Sequence, residues 1–124
     1  MTKRILIIED QEDNRTILRD LLSTAGYALI EAVDGHEGVK LARSERPDLI
    51  LMDIQLPGLD GYEATRQIRA TEELKSVPII AVTSYALSGD EVKAREAGCD
   101  GYVTKPFSPR QLLAKVREYL HAGD

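Results

Sequence analysis

The sequence holds a single cysteine, Cys99, so no internal disulfide can form, and the chain reads as one for a reducing, cytoplasmic compartment. Long apolar runs are missing as well. The longest aliphatic stretches, Ile5 to Ile8, Leu49 to Met52 and Ile79 to Val82, are four residues each, against the ~20 needed to cross a bilayer. Met1-Thr2-Lys3-Arg4 runs directly into a short apolar segment rather than a signal-peptide core, so no membrane partner is expected. Positive charge is not in excess: 16 Lys and Arg stand against 21 Asp and Glu, a net charge of −5, which lacks the electrostatic footprint of a nucleic-acid binder. There is no internal repeat and no linker rich in Pro, Gly or Ser. The 124 residues match one domain at the usual ~100–200 per domain, so one domain over residues 1–124 is expected, with no output domain attached. With 43% hydrophobic and 30% charged residues the composition is that of a chain with a core.

The short apolar runs are rich in Ile, Val and Leu, the pattern of strands buried on both faces of a parallel sheet. Five such segments are expected, at Arg4 to Ile8, Tyr27 to Val33, Leu49 to Met52, Ile79 to Thr83 and Gly101 to Thr104, each followed by residues at helical spacing. Asp34 with Glu37, Asp60 with Glu63, Ser88 with Glu91 and Ser108 with Gln111 have the spacing of helix-start capping pairs, and Pro109 suits a first helical position. Gly26 and Gly98 are placed as C-terminal caps. Ile17, Leu18, Leu21, Leu22 and Ala25 form one apolar stripe, and Leu112, Leu113, Val116 and Leu120 another. Strand and helix alternating five times predict an α/β fold, an open parallel sheet with helices on both faces and right-handed connections. A closed eightfold barrel needs about twice the length.

In open α/β sheets ligands bind beyond the carboxyl ends of the strands, where strand order reverses. The first strand ends in Glu9 and Asp10, the third in Asp53 and the fourth in Thr83, and the fifth is followed by Lys105 and Pro106. Taken singly most of these have plain readings, since acids favour helix starts and a strand-end hydroxyl or a lysine is ordinary. Asp53 is different, because it directly follows the buried run Leu49-Ile50-Leu51-Met52, where an unpaired carboxylate is costly. Three converging acids need a cation between them, and hard oxygen ligands suit Mg²⁺. A metal ion and a lysine together make a site for a dianionic phosphoryl group, with Asp53 as the carboxylate placed to attack phosphorus. His36 and His121 read as surface histidines, and Cys99 as a packing residue.

Ile5-Leu6-Ile7-Ile8-Glu9-Asp10, Asp48-Leu49-Ile50-Leu51-Met52-Asp53 with Pro57-Gly58 and Gly61, Pro78-Ile79-Ile80-Ala81-Val82-Thr83, and Gly101-Tyr102-Val103-Thr104-Lys105-Pro106 together resemble the receiver domain of two-component response regulators. The resemblance extends over residues 3 to 121. Asp53-Ile54-Gln55-Leu56-Pro57, Gly89-Asp90-Glu91 and Gly98-Cys99 further resemble the stand-alone cell-cycle regulators of the DivK type. The family implies a flavodoxin-like, doubly wound five-stranded sheet of order 2-1-3-4-5 with five helices. It implies Asp53 as phosphoacceptor, Asp10 on Mg²⁺ directly, Glu9 through water, and Gln55 through its backbone carbonyl. Thr83 and Lys105 would hold phosphoryl oxygens, Thr83 and Tyr102 would form the switch, and Lys105-Pro106 would be a cis peptide. The implied partners are a histidine kinase or histidine phosphotransfer protein upstream and a protein effector downstream, met on the face of the fourth helix, fifth strand and fifth helix. Such a receiver promotes its own phosphorylation and dephosphorylation but is not an enzyme with a separate substrate.

Two positions depart from the commonest family pattern. Ser84 enlarges the side chain beside the path of Tyr102, and Gln55 stands two residues after Asp53. With Tyr85, Gln55 is expected to shield phosphorus from water and lengthen the phosphoryl lifetime. Gln55 also argues against a haloacid-dehalogenase-like phosphatase, which needs a second acid there. Glu9, Asp10, Glu12 and Asp13 argue against a flavin-binding module, whose first loop must cradle phosphate. A receiver-like binding module that works without phosphorylation is the remaining alternative.

Overall fold

The structure is a computed structural model, and it describes residues 2–84 and 90–121. Its elements alternate as expected: β1 (Arg4–Ile8), α1 (Glu12–Thr24), β2 (Ala28–Ala32), α2 (Gly35–Glu45), β3 (Leu49–Asp53), α3 (Gly61–Arg69), a 3₁₀ turn (Glu72–Leu74), β4 (Ile79–Thr83), α4 (Asp90–Ala97), β5 (Gly101–Thr104) and α5 (Pro109–Leu120). Among the described residues the five strands pair in parallel in the order β2-β1-β3-β4-β5. The chain passes from β1 outward to β2, then returns across β1 to β3, so the order reverses between β1 and β3. A crevice opens there at the carboxyl ends.

Two strand boundaries differ from the sequence expectation. β2 is shorter than Tyr27 to Val33 because it lies at the edge, and its one ladder pairs only Arg4 with Ala28 through Ile8 with Ala32. β3 runs one residue further, since Asp53 itself pairs with Val82. Alternate residues of the central strands feed two separate cores. Ile5, Ile7, Leu49, Leu51, Ile80 and Val82 pack with α1 and α5, and Leu6, Ile8, Ile50, Met52 and Ala81 pack with α2, α3 and α4.

The α5 stripe is as expected, with Leu112, Val116 and Leu120 buried, but the α1 stripe is narrower. Leu18 and Leu22 are buried, whereas Ile17 is 55% exposed, a correction to its placement in the core. Asp34 and Asp60 accept from the N–H groups of Glu37 and Glu63 (2.8 and 2.9 Å). Only Ser108 with Gln111 closes a reciprocal box among the described residues, ahead of Pro109. The Ser88 cap lies outside the described residues. Gly26 and Gly98 follow α1 and α4 with φ of 96° and 118°, the left-handed conformation that ends helices. Cys99 is buried beside the Thr65 hydroxyl (3.7 Å), and burial pushes its thiol pKa up, in keeping with packing rather than reactivity. No helix among the described residues is long and apolar enough to cross a membrane.

Candidate functional site

The strand ends bring the expected side chains together. Glu9 follows β1, Asp53 closes β3 and Thr83 closes β4, and all three are nearly inaccessible, at 2%, 4% and 2% exposed. Lys105, just past β5, reaches across with its Nζ 2.8 Å from Glu9 Oε1 and 3.7 Å from Asp53 Oδ2. One carboxylate oxygen from each of Glu9, Asp10 and Asp53 lies within 4.8 Å of the others, a spacing suited to a single hard divalent cation. The Lys105–Pro106 peptide is cis. Tyr102 is not part of this cluster. It pairs with Ala81 on the neighbouring strand, half-buried against the core under α2, α3 and α4.

Backbone geometry fixes the Asp53 carboxylate. The Gln55 N–H donates to Asp53 Oδ1 at 3.0 Å, and Ile54 N–H donates to Val82 O at 3.1 Å, so the turn after β3 is tied to β4. α3 begins against this turn at Gly61, where a Cβ would stand 2.5 Å from Asp53 O and 2.6 Å from Ile54 Cα. Only glycine fits that approach.

Electrostatics separate the two buried acids. Burial pushes the Asp53 carboxyl up to about 6, with the neighbouring Glu9 charge adding to the rise against the opposing Gln55 N–H and Lys105. Burial also opposes ionisation of Glu9, but its hydrogen bonds from the Lys105 ammonium and the Gln11 N–H outweigh that and hold it below its ordinary value. Lys105 thus belongs to Glu9, and Asp53 is left short of compensation.

This has a consequence for stability. Between the ordinary carboxyl value of 3.8 and about 6 the folded protein keeps a proton on Asp53 that the unfolded chain has released, so stability falls as pH rises through this window. Asp53→Asn removes the effect. In metal-free buffer at pH 7 the variant is expected to be more stable than wild type by on the order of 2 kcal/mol, the gap closing below about pH 4. Urea unfolding of both proteins across this range checks it, and parallel pH profiles would contradict it.

Two further groups shape the site without having been singled out in the sequence, and a third, the Gln55 side chain, takes a direction the sequence did not indicate. Arg15, on α1, donates from one guanidinium nitrogen to both Glu9 O (3.0 Å) and Asp10 O (3.1 Å), pinning the loop that carries the acid pair. Gln11 supplies the N–H that holds Glu9 Oε2 at 3.0 Å. The Gln55 side chain, expected to shield phosphorus, accepts from the Ser84 N–H at 3.0 Å. Arginine five residues after Asp10 carries no signal of its own in a sequence, because its direction is set by the packing of α1. Tyr85, the expected partner of Gln55 in shielding, lies outside the described residues.

Comparison with known proteins shows the family and the fold. Residues 5–117 match the response regulator receiver domain family. The chain is 45% identical over 120 residues to the polar-differentiation response regulator DivK of Brucella ovis, covering 97% of this chain and 98% of that protein, and 44% identical to DivK of Brucella anthropi over the same shares. Among solved structures it resembles the receiver domain of the sensor histidine kinase PA1611 from Pseudomonas aeruginosa, which has a magnesium ion coordinated in its active-site cleft. That match has a TM-score of 0.92 and 40% identity over 98% of this chain and 100% of the other. The chemotaxis protein CheY4 of Vibrio cholerae matches with a TM-score of 0.92 and 28% identity over 97% and 100%. Sequence and fold agree, and the chain belongs to the response regulator receiver domains of two-component signalling.

Proposed function

We propose that the chain accepts a phosphoryl group on Asp53 from a phosphohistidine of a histidine kinase or phosphotransfer protein, and signals by binding a protein effector in the phosphorylated state. The observation that carries this reading is the setting of Asp53, a buried carboxylate short of positive charge, with Lys105 Nζ 3.7 Å away and two further acids beside it. In the transfer an Asp53 oxygen forms a bond to phosphorus while the bond to the donor imidazole nitrogen breaks. The electron pair leaves with that nitrogen. Lys105 and the Thr83 hydroxyl hold phosphoryl oxygens, and catalysis is positioning and charge neutralisation.

Mg²⁺ fits the donor set, which is all hard oxygen. Asp10 and Asp53 would hold it directly with the Gln55 carbonyl. Glu9, whose two oxygens already take Lys105 and Gln11, would act through water. When bound, the ion neutralises charge on the transferring group. Because Arg15 holds both carbonyls of the acid pair, Arg15→Met is expected to weaken Mg²⁺ binding about tenfold by titration calorimetry. An unchanged affinity removes this role.

Exposed Ile17 supports a protein donor. With Asn14, Pro106 and Phe107 it rims a hollow of about 390 Å³ beside Lys105, an apolar shoulder at the mouth of the site. Ile17→Asp is expected to slow transfer from a phosphohistidine protein at least about tenfold and leave labelling by acetyl phosphate unchanged. Equal loss with both donors would place the defect in the site itself. The effector surface is the face of α4, β5 and α5, where Tyr102, Gln111 and Lys115 line a second groove. Neither nucleic acid nor membrane is a proposed partner.

The deciding experiment labels the protein with acetyl phosphate and Mg²⁺, reduces it with borohydride and maps the product. Homoserine at position 53 is expected. Label on another residue, or none, overturns the reading.

A further inference from the structure

We propose that the Gln55 carboxamide is a latch on the Ser84 N–H, and that it must release this N–H when an anionic group is placed on Asp53. This rests on Asp53 being the phosphoacceptor. Gln55 touches both sides of the site at once. Its backbone N–H donates to Asp53 Oδ1 at 3.0 Å, and its side-chain Oε1 accepts from Ser84 N–H at 3.0 Å. The flanking peptide groups are already committed elsewhere, since Thr83 O accepts from Lys105 N–H at 2.7 Å and Val82 O accepts from Ile54 N–H at 3.1 Å. The Ser84 N–H is therefore the first backbone donor beyond β4 that is held by a side chain rather than by the sheet.

Side chains exchange partners more readily than a ladder does. A phosphoryl group on Asp53 brings a dianion to the mouth of the crevice beside the end of β4. A charged acceptor makes hydrogen bonds roughly twice as strong as a neutral amide oxygen does, so it competes for the Ser84 N–H and displaces Oε1. The two arrangements differ in which oxygen holds one N–H, and a ligand that favours one of them shifts the balance. Gln55 would thus oppose activation in the resting protein, and its loss would ease binding of the group that activates. The contact to Ser84 uses the full length of the glutamine side chain, and asparagine is one methylene shorter, whereas the backbone contact to Asp53 is open to either residue.

The test uses the full chain and two readouts. Amide exchange at Ser84 is followed by NMR in unmodified wild type, Gln55→Met, Gln55→Asn and Gln55→Glu. Affinity for beryllofluoride, a phosphoryl mimic, is then measured with Mg²⁺ for wild type and Gln55→Met. Ser84 exchange is expected to speed up about fivefold in the Met and Asn variants, the worth of one ordinary hydrogen bond, and to stay protected in the Glu variant, which keeps the acceptor oxygen. Beryllofluoride is expected to bind Gln55→Met about fivefold more tightly than wild type. Unchanged Ser84 exchange in Gln55→Met overturns the latch, as does beryllofluoride binding that is equal or weaker in that variant. Failure of beryllofluoride to bind wild type at all would instead sink the phosphoacceptor reading, and the latch with it.

Discussion

Asp53→Asn is expected to take up less than roughly a hundredth of the acid-stable, base-labile label that wild type takes from acetyl phosphate, because an amide oxygen does not replace a carboxylate as nucleophile. Wild type in excess chelator is expected to fall to a similar level for an electrostatic reason. Glu9, Asp10 and Asp53 bring three carboxylates within 4.8 Å, and Lys105 is already engaged by Glu9. Each uncompensated pair of like charges ~4 Å apart costs about 4 kcal/mol at the effective dielectric of a partly buried site, and that alone slows the reaction nearly a thousandfold. Phosphorimaging with intact-mass analysis measures both. Full labelling of the Asn variant, or of wild type without a divalent ion, removes the mechanism.

Thr83→Ala should separate phosphorylation from response. Thr83 is nearly inaccessible at the end of β4, and its strand pairs directly with the one that carries Tyr102. Asp53, Lys105 and the acid pair are untouched by the change, so labelling is expected to remain within about threefold of wild type. In the proposed function what is lost is a hydroxyl that contacts the phosphoryl in one state only, the kind of group that biases a two-state element. In wild type, beryllofluoride should shift the amide resonances of Gln55, Tyr102 and Val103 together. In the variant those of Gln55 should shift while those of Tyr102 and Val103 stay near their resting positions, and binding to the effector should weaken about tenfold. Full shifts at Tyr102 in the variant would show that the coupling runs through another residue.

The parts of this molecule that were legible in the sequence are those set by burial and by local chemistry. Leu49 to Met52 and Ile79 to Val82 are apolar without interruption because both faces of the sheet are covered, and their shortness and their Ile and Val content separate them from a buried helix. Ser108-Pro109 and Gln111 mark a helix start for equally local reasons. Errors arose where a neighbour decides. Ile17 fits the α1 stripe by spacing, but α1 meets the sheet through Leu18 and Leu22, and the flank holding Ile17 faces outward. Val33 has the composition of a strand residue but no partner residue in the β1 ladder, which ends at Ala32. At the site, the positions that end strands could be read from the order of strands alone. The directions taken by the Arg15 guanidinium and the Gln55 carboxamide could not, because each depends on carbonyl or N–H groups supplied by a distant segment of chain.

Strand order also bears on time. β3, β4 and β5 are consecutive neighbours in the sheet, so Asp53 and the strand carrying Tyr102 are two strand spacings apart, roughly 10 Å. Nothing has to cross the core or swing as a body for an event at one to be felt at the other. Rearrangements of this size, a loop and a few rotamers, relax in microseconds to milliseconds. In the proposed function the protein therefore keeps no conformational memory of its own. It follows the state of Asp53 almost instantaneously, and the duration of its signal is the chemical lifetime of one acyl phosphate bond.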